Sequence, residues 1–477
     1  MAAPDGPLVI GVDSSTQSTK VLVVDTATGA VVARGQAPHV VTAEHDSDPE
    51  QWWSALVEAV EQCGPVARQA AAVSVAGQQH GLVALGAEGR PVRNALLWND
   101  TRSAPQRDRL IEELGGPGVW AERTGSVPAP SFTVTKWAWL RENEPEAAAA
   151  TRAVRLPHDY LTGRLTGQGV TGGTTDRGDA SGSGWWSSDT ESYDEAILSH
   201  VGLDPALLPR VVASGEAAGT VAAGLPLPEG ILVAGGTGDN MAGALGLGLG
   251  PGRPVLSLGT SGTVYAVSER RATDASGIVA GFADARNDWL PLACTLNCTQ
   301  AVDRFAALVG LDREAVEPGG SAVVLPFLDG ERTPDLPYAS GLVHGLRHGT
   351  TRGQLLQAAY DGAVFALLRA LDSVLDDTAD TSEPILLIGG GARGTAWRET
   401  VRRLSGRPVK VPVADELVAL GAAAQAAGLL LGRDPAAVAR DWETTAGPSH
   451  GAVERDDDAL ARLDATLHHA DALLRQR

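Results

Sequence analysis

Near its start the chain alternates apolar residues with small or polar ones in two short runs that flank a turn of hydroxyl residues. The segment is LVIGVDSSTQSTKVLVVD, residues 8–25, and Asp13 stands immediately before the turn. This alternation predicts a strand, a tight turn and a second strand. The turn is either an ordinary hairpin turn or a set of N–H and hydroxyl groups that hold a phosphate, with the acid beside it reaching the accompanying metal.

A second segment repeats this pattern almost half a chain later. PVLSLGTSGTVYAV, residues 254–267, reads as a strand, a turn of small residues and a strand. Two such units predict the internal duplication of a domain. The glycine-rich stretch 235–254 lies between them and is a candidate for the domain crossover. We therefore expect two domains, residues 1–245 and 246–477.

Helical and strand patterns alternate along the rest of the chain. A helix is predicted in DPEQWWSALVEAVEQC, with one apolar face formed by Trp53, Leu56, Val57 and Val60. Further segments are predicted as strand, loop and strand (70–85), as a helix (352–376), as a buried strand, a glycine turn and a helix (383–406), and as a last helix-rich segment (416–432). Strands that alternate with helices, together with the two hairpins, predict an α/β protein with mixed sheets.

Length and composition narrow the class of protein. A chain of 477 residues is too long for one hydrophobic core and predicts two or three domains with a cleft between them. With 43% hydrophobic and 20% charged residues it is typical of soluble globular proteins, and its net charge of −20 argues against nucleic-acid partners. No apolar run approaches a membrane span, and the start lacks a basic signal region, so we expect the cytoplasm.

The positions of the lysines exclude a P-loop, and those of the cysteines argue against a zinc site. The three lysines, Lys20, Lys136 and Lys410, do not follow a GxxxxG segment, so a P-loop is excluded. A bound nucleotide would need backbone N–H groups, helix N-termini and a divalent cation. Cys294 and Cys298 have a spacing that could place both thiols on one helix face, but no second Cys or His pair lies nearby to complete a zinc site. Buried or idle thiols are the favoured interpretation.

Two further segments are open to both a structural and a functional interpretation. In LIGGGARG, residues 387–394, a strand runs into glycines and then a helix, which suits a nucleotide or only a tight connection; it is not the GxGxxG of a dinucleotide site. Asp239 stands at the mouth of a helix, just past the strand ILVAGG. It is either an N-cap or a carboxylate that accepts the proton from an attacking hydroxyl in phosphoryl transfer.

Polar side chains gather in two loops at predicted strand ends. AGQQHGL and LLWNDTR place Gln79, His80, Trp98, Asn99 and Asp100 there. Amide, imidazole and carboxylate groups offer the directional donors and acceptors that a polyol needs, and an indole ring can cover its C–H face. These loops are candidates for a sugar site.

Together these segments resemble the FGGY carbohydrate kinases of the actin/hexokinase-like ATPase superfamily, most of all members that phosphorylate xylulose. The resemblance covers nearly the whole chain in order, through GVDSSTQSTK, GQQHG, LWNDTR, LPHDYLTGRLTG, TTDRGDASGSGWW, GGTGDN, LSLGTSG, LPFLDGERTP and LIGGGARG. It implies a two-domain, ribonuclease H-like fold with duplicated mixed-sheet domains around a cleft. The implied reaction is ATP-dependent phosphorylation of an open-chain ketopentose, with D-xylulose expected first.

The resemblance also implies roles for individual residues. Asp239 would be the catalytic base, and Asp13 would either act through Mg²⁺, which it would hold through water, or orient the phosphates. The sugar would be contacted by Gln79, His80, Trp98, Asp100, Asp239 and Asn240. ATP would be held by Ser15, Thr16, Gly259, Thr260, Ser261, Gly390, Gly391 and Ala392.

The chain departs from the family pattern at one position, and several alternatives to a xylulose substrate stay open. Many members have Gly where this chain has Ser15, whereas glycerol kinases carry an Arg-Glu pair in place of Gln79-His80, which argues against glycerol. Ribulose and other pentulose or polyol kinases stay open, because those sugars differ by as little as one hydroxyl configuration. An actin-like or chaperone-type ATPase would need no sugar pocket, so the polar loops favour the kinase. The partners expected are a small sugar and ATP, without nucleic acid or membrane, and a homodimer is compatible with the sequence.

Overall fold

The computed structural model describes residues 4–42, 45–375, 380 and 382–476. It forms two compact units, each assembled from separate stretches of chain. The first contains Met1–Gly250, Ser268–Leu290 and Ala414–Thr445, and the second contains Pro251–Val267, Pro291–Val413 and Ala446–Arg477. A single domain boundary near residue 245 stays a prediction.

The strands are β1 (Leu8–Ser14), β2 (Ser18–Asp25), β3 (Val31–Pro38), β4 (Asp46–Ser47), β5 (Ala70–Gly77), β6 (Val83–Leu85), β7 (Ala95–Leu96), β8 (Ala153–Arg155), β9 (Thr174–Asp176), β10 (Trp186–Ser187), β11 (Ser192–Tyr193), β12 (Arg210–Val212), β13 (Ala217–Thr220), β14 (Leu232–Ala234), β15 (Thr237–Gly238), β16 (Val255–Leu258), β17 (Gly262–Tyr265), β18 (Ala280–Ala283), β19 (Trp289–Thr295), β20 (Val323–Leu325), β21 (Leu342–His344), β22 (Ile385–Ile388), β23 (Val409–Lys410) and β24 (Ser449–His450).

The α-helices are α1 (Pro49–Gln62), α2 (Ala104–Glu113), α3 (Pro117–Thr124), α4 (Thr133–Asn143), α5 (Pro145–Ala150), α6 (Pro157–Thr166), α7 (Arg177–Ser181), α8 (Glu195–His200), α9 (Asp239–Gly246), α10 (Thr299–Val309), α11 (Arg352–Val374), α12 (Thr395–Ser405), α13 (Leu417–Leu431), α14 (Pro435–Asp441) and α15 (Asp457–Leu474). Short 3₁₀ helices span Gly64–Gln69, Pro205–Leu207 and Gly390–Arg393.

The central sheet of the first unit contains the predicted opening hairpin. Its strands lie in the order β13-β14-β5-β1-β2-β3. β1 and β2 are antiparallel and in register from Leu8 opposite Asp25 to Ser14 opposite Thr19. β5 runs parallel to β1, and β14 runs parallel to β5. The predicted hairpin is confirmed.

The sheet of the second unit repeats this arrangement strand for strand. Six strands of this sheet lie in the order β24-β23-β22-β16-β17-β19. β16 is antiparallel to β17 and parallel to β22, and β23 is parallel to β22. The outer strands β19 and β24 are antiparallel to their neighbours, as β3 and β13 are in the first unit. The shared order and directions confirm the predicted duplication and the mixed-sheet α/β class.

Helix α1 forms where the apolar pattern predicts it, but with a slightly rotated buried face. Asp48 caps it by accepting the N–H of Glu50, and Pro49 occupies the first turn, where its missing N–H costs no helical hydrogen bond. The buried residues are Pro49, Trp52, Ala55, Leu56, Ala59 and Val60. Of the predicted face, Leu56 and Val60 are buried, but Trp53 and Val57 are only partly buried. The prediction was therefore right at two of its four residues, and Trp52 is buried in place of Trp53.

Helix α13 joins the elements that carry the two candidate carboxylates. A Cβ on Gly11 of β1 would lie 1.9 Å from the Ala419 carbonyl oxygen, and a Cβ on Gly421 would lie 1.8 Å from that of Ala242 in α9. Such contacts are possible only for glycine. The small residues of α13 therefore let β1 and α9 pack against it at backbone distance, which fixes both within the first unit.

The two cysteines of CTLNC do not share a helix face. Cys294 lies in β19 opposite Thr263, because this strand continues to Thr295, and Cys298 is buried just before α10. The segment is a strand end and a turn, and the buried Cys298 agrees with the favoured interpretation of buried or idle thiols. Within the described ranges, no three His, Cys, Asp or Glu side chains are grouped so that they could hold a metal ion. No helix in the described part of the chain is long and apolar enough to cross a membrane.

Candidate active site

Two carboxylates come to the same edge of the first sheet. Asp13 of β1 lies opposite Ala76 of β5, and Thr237 of β15 lies opposite Ala76 from the other side. Two strand spacings separate Asp13 from Thr237, roughly 10 Å between their Cα atoms. Asp239 follows two residues later as the first residue of α9. This edge, outside the carboxyl ends of parallel strands, is where open α/β sheets bind their ligands.

Asp13 is a buried acid with an unsatisfied oxygen. Its side chain is 6% exposed, and Oδ1 has no hydrogen-bond partner. Burial raises the pKa of Asp13 to about 7, and the negative charge of Asp239 adds to this effect. Lys20 opposes the rise, but its ammonium is engaged by Glu416 at 2.6 Å. An unpartnered buried carboxylate oxygen is costly in isolation and suits a bound cation.

Asp239 is not the N-cap of its helix. Gly238 holds that position, and Asp239 Oδ1 accepts hydrogen bonds from the Asn240 backbone N–H at 2.8 Å and from Asn240 Nδ2 at 3.0 Å. Burial raises the pKa of Asp239 to about 6, against the lowering effect of its backbone hydrogen bonds. The structure therefore disfavours the capping interpretation and leaves a carboxylate that is ionised at neutral pH.

Gln79 lies directly beside this carboxylate. Its Oε1 accepts a hydrogen bond from Asn240 Nδ2 at 2.8 Å, whereas its buried Nε2 has no partner. A Cβ on Gly238 would lie 2.7 Å from Gln79 Cγ, so glycine is needed at that position. The structure thus brings Gln79, Asn240 and Asp239 together, and their role in a sugar site stays a prediction.

His80 is held in an unusual backbone conformation. Its φ is 66°, in the left-handed region that few non-glycine residues adopt. The ring stacks on Phe132, with ring centroids 4.6 Å apart, and Nδ1 lies 2.7 Å from the Gly182 carbonyl oxygen. Thr133 Oγ1 donates to the His80 carbonyl oxygen at 3.2 Å. Strain of this kind persists where the surroundings over-determine it, which is common at functional sites.

Lys136 is a residue of this region that sequence reasoning missed. It is fully buried, and its Nζ donates to the carbonyl oxygens of Ser131 and His80. Burial lowers the pKa of Lys136 to about 7, with Asp100 acting in the opposite direction. A lysine among the apolar residues of TVTKWAWL was the available signal, because an ordinary helix would place it toward solvent.

Trp98 and Asp100 have different surroundings. Trp98 is 45% exposed, and its Nε1 donates to Thr16 Oγ1 at 3.0 Å, which links a predicted sugar residue to a predicted ATP residue. Asp100 is buried and pairs with Arg102 Nε at 2.7 Å. Asn99 lies near the surface and bonds His45 at 3.1 Å. Trp98 is therefore the most available group of this loop.

The first hydroxyl-rich turn uses several of its own donors. The backbone N–H and the hydroxyl of Ser15 both donate to the Ser18 carbonyl oxygen at 3.0 Å. Thr16 Oγ1 donates to Gln78 Oε1 at 3.3 Å while it accepts from Trp98. Of the two predicted ATP residues in this turn, Ser15 uses its N–H and its hydroxyl to close the turn. Thr16 instead links the turn to Gln78 and Trp98.

In the second unit the two predicted ATP turns are neighbours. Because β16 and β22 are parallel, Gly259–Ser261 and Gly390–Ala392 leave the sheet at the same edge. A Cβ on Gly391 would lie 2.8 Å from Leu258 Cβ, whereas one on Gly390 would meet nothing within 4 Å. Thr260, Ser261 and Gly390 are exposed, whereas Gly391 and Ala392 are buried. These turns present accessible backbone at a sheet edge beside the short helix that begins at Gly390.

Glu331 supports the first of these turns, although no role was predicted for it. Its buried carboxylate accepts hydrogen bonds from the backbone N–H groups of Leu296 at 2.6 Å and Asn297 at 3.2 Å, and from Asn297 Nδ2 at 3.0 Å. This segment leads into α10, where Thr299 donates to the Gly259 carbonyl oxygen through Oγ1 at 2.8 Å and through N at 3.1 Å. The glutamate of ERTP thus anchors the chain that holds Gly259.

A second unpredicted group is a histidine surrounded by acids in the first unit. His158 Nε2 lies 3.2 Å from Asp159 Oδ1, 3.5 Å from Asp176 Oδ1 and 3.3 Å from Asp179 Oδ2. All four side chains are buried. The segments LPHDYL and TTDRGD belong to the resemblance, but nothing in the sequence indicated that they meet.

Comparison with known proteins places the whole chain in one family. Sequence profiles of the FGGY family of carbohydrate kinases match residues 8–246 with the N-terminal domain and residues 255–429 with the C-terminal domain. A xylulose kinase of Streptomyces rubiginosus is 73% identical over 478 aligned residues, which cover 99% of this chain and 98% of that protein. The chain therefore belongs to the FGGY family of carbohydrate kinases.

Solved structures agree with this assignment. The crystal structure of xylulose kinase from Bifidobacterium adolescentis matches with a TM-score of 0.85 and 36% identity, over 97% of this chain and 99% of that one. A structure from Brucella ovis, described as a xyloylose kinase, matches with a TM-score of 0.87 and 30% identity, over 98% of both chains. The two-domain α/β fold with mixed sheets is thus shared with these kinases.

Proposed function

We propose that this kinase transfers the γ-phosphoryl group of ATP to the 5-hydroxyl of D-xylulose, giving D-xylulose 5-phosphate. The observation that carries the proposal is the Asp239 carboxylate, which stands at the ligand-binding edge of the first sheet beside Gln79 and Asn240. The 73% identity to a xylulose kinase over nearly the full length supports this choice of sugar.

Asp239 acts as the general base in this proposal. A pKa of about 6 leaves it ionised at neutral pH but more basic than an ordinary aspartate. Efficient general bases have pKa values near the working pH, and a group of this kind contributes about 10²–10⁴-fold to the rate. Its carboxylate accepts the proton of the 5-hydroxyl as that oxygen attacks the γ-phosphorus.

The sugar is held by groups that the fold leaves available around Asp239. Gln79 offers the unpartnered donor Nε2, and Asn240 is fixed by its own bonds to Gln79 and Asp239. His80 contributes its ring, which the stack on Phe132 holds in place. Trp98 covers an apolar face of the sugar, and Asp100 orders the loop that carries Trp98 through its pair with Arg102.

ATP is held mainly by backbone in this proposal, because no lysine cradle exists. The backbone groups proposed in the second unit belong to two turns, Gly259–Ser261 (with Thr260) and Gly390–Ala392 (with Gly391). Those proposed in the first unit belong to the turn that contains Ser15 and Thr16. Exposed N–H groups at turns and helix starts suit phosphate oxygens. The open space beside Gly390 is consistent with close approach of the nucleotide.

Asp13 fits the role of a Mg²⁺ residue. Its buried Oδ1 without a hydrogen-bond partner is the donor atom that a hard cation prefers. Because the described residues contain no larger cluster of metal-binding side chains, Asp13 would hold the ion together with water and phosphate oxygens. Bound Mg²⁺ supplies charge neutralisation for the transferred phosphoryl group.

A coupled assay of ADP release tests the sugar assignment directly. The purified protein is assayed with D-xylulose, D-ribulose, L-ribulose, glycerol and gluconate, each with ATP and Mg²⁺. We expect the highest kcat/KM for D-xylulose and little release without sugar. A clear preference for ribulose or glycerol would contradict the proposed substrate, and sugar-independent release at the full rate would favour the ATPase alternative.

A further inference from the structure

The buried group around His158 draws its acids from three elements. His158 and Asp159 lie at the start of α6, Asp176 ends β9, and Asp179 lies in α7. The three carboxylates approach the same ring nitrogen, Nε2, at 3.2, 3.5 and 3.3 Å. Such a group is stable in a protein interior only when the opposite charges are present together.

The imidazole is held in its charged form. Burial opposes the charge, but Asp159, Asp176 and Asp179 outweigh it and raise the pKa of His158 to about 9. The other charged groups that face this cluster are Arg155, beside Asp159, and Asp239, which adds to the raised pKa of Asp179. At neutral pH the cluster therefore contains one cation that faces three acids.

The cluster is connected by one hydrogen bond and by close packing to the residues just before Asp239. Asp176 Oδ2 accepts a hydrogen bond from Thr237 Oγ1 at 2.6 Å, and Thr237 stands two residues before Asp239. Gly236, with a φ of 76°, lies against the ring, so that a Cβ there would be 2.6 Å from His158 Nδ1. Asp176 also caps α7 through the N–H groups of Gly178 and Asp179. The ring and its acids thus support the segment that leads into α9.

We propose that His158 is a positioning residue, whose charged ring holds Asp176 and the Thr237 link in place and so sets the position of Asp239. This inference rests on the proposed role of Asp239 as the general base. Loss of the imidazolium leaves Asp159, Asp176 and Asp179 without their cation. Asp176 is then no longer held by a cation, so Thr237 loses its fixed partner and the segment that leads to Asp239 is less firmly placed.

The test compares His158→Gln with His158→Lys. Glutamine keeps a polar side chain of similar length without the charge, and lysine keeps a cation. Thr162→Val is the matched control, because Thr162 is another fully buried residue of α6 and the change preserves its shape. The measurements are kcat and KM for sugar and ATP across pH 5–9, together with the melting temperature of each variant.

For His158→Gln we expect kcat to fall at least about tenfold, with the sugar KM changed by less than about threefold. His158→Lys should recover most of the lost kcat, and Thr162→Val should behave as the wild type. Imidazole NMR of the wild type should show His158 protonated at pH 7.

Several outcomes would overturn the proposal. One is a His158→Gln enzyme with wild-type kcat; another is a neutral His158 ring at pH 7. If His158→Gln does not fold, Thr237→Val removes only the hydroxyl link, and unchanged kcat there contradicts the proposal. Failure of the proposed base is recognised separately, because Asp239→Asn would then retain activity.

Discussion

Asn240 Nδ2 donates a hydrogen bond to Gln79 Oε1 at 2.8 Å and a second to Asp239 Oδ1 at 3.0 Å. This single amide joins the start of α9 to the loop after β5. It fixes the orientation of the Gln79 amide, so that its NH₂ group is the end left without a protein partner. The NH₂ group of Gln79 and the proposed base Asp239 therefore lie side by side at this sheet edge.

The variant Gln79→Glu tests that donor. Glutamate still accepts the Asn240 hydrogen bond but can no longer donate, and it places a negative charge near Asp239. We expect the sugar KM to rise about tenfold or more, with a smaller change in ATP KM. Gln62→Glu is the control, because the Gln62 Oε1 also accepts a hydrogen bond but lies on the surface, and its kinetics should not change. An unchanged sugar KM in Gln79→Glu would remove Gln79 from the sugar site.

The glycine turn of the second unit offers a steric test of the nucleotide site. A methyl group on Gly390 meets no protein atom within 4 Å. Gly390→Ala should therefore fold normally, whereas the methyl group should hinder a phosphate that approaches the backbone and raise the KM for ATP about tenfold. Gly349→Ala, an exposed change that also meets nothing within 4 Å, is the control. A normal ATP KM in Gly390→Ala would place the nucleotide elsewhere.

The ionised carboxylate of Asp13 should lower the free energy of unfolding when no ligand is bound. Its folded-state pKa of about 7 lies above its ordinary value of 3.8, so the folded state binds the proton more tightly, and stability falls as pH rises between these values. Asp13→Asn should raise the melting temperature at pH 8 by about 2–4 °C and have less effect at pH 5. Activity should be lost in the same variant. An equal or lower melting temperature at pH 8 would contradict this account of Asp13.

The pH dependence of turnover should reflect the ionisation of Asp239. Its pKa of about 6 means that the free base is present above that pH and is lost as pH falls through it. With saturating sugar and ATP, kcat should decline about tenfold for each pH unit below this point. A profile that is level down to pH 5 would show that no group of this pKa limits the chemical step.

Local patterns predicted the elements and the edge residues, and tertiary burial accounts for what they missed. Alternating residues and hydroxyl turns were enough to predict both hairpins, and the position of Asp239 after a strand placed it at the sheet edge. Glu331 and the cluster around His158 gave no such signal, because they depend on groups from other segments of the chain. Lys136 was signalled only by its place among apolar residues. The Cys294–Cys298 spacing is compatible with a helix, but the segment is a strand end and a turn. Contacts of this kind depend on how elements pack, which a spacing does not record.

The measurement that tests the central claim most directly is turnover and sugar binding by Asp239→Asn. Asparagine has the size of aspartate and keeps an oxygen for the Asn240 bonds, but it cannot accept the hydroxyl proton. We predict that kcat falls by at least about 10²-fold while sugar affinity, measured by calorimetry on the same folded preparation, changes by less than about threefold. Near-normal kcat in this variant would contradict the assignment of Asp239 as the base.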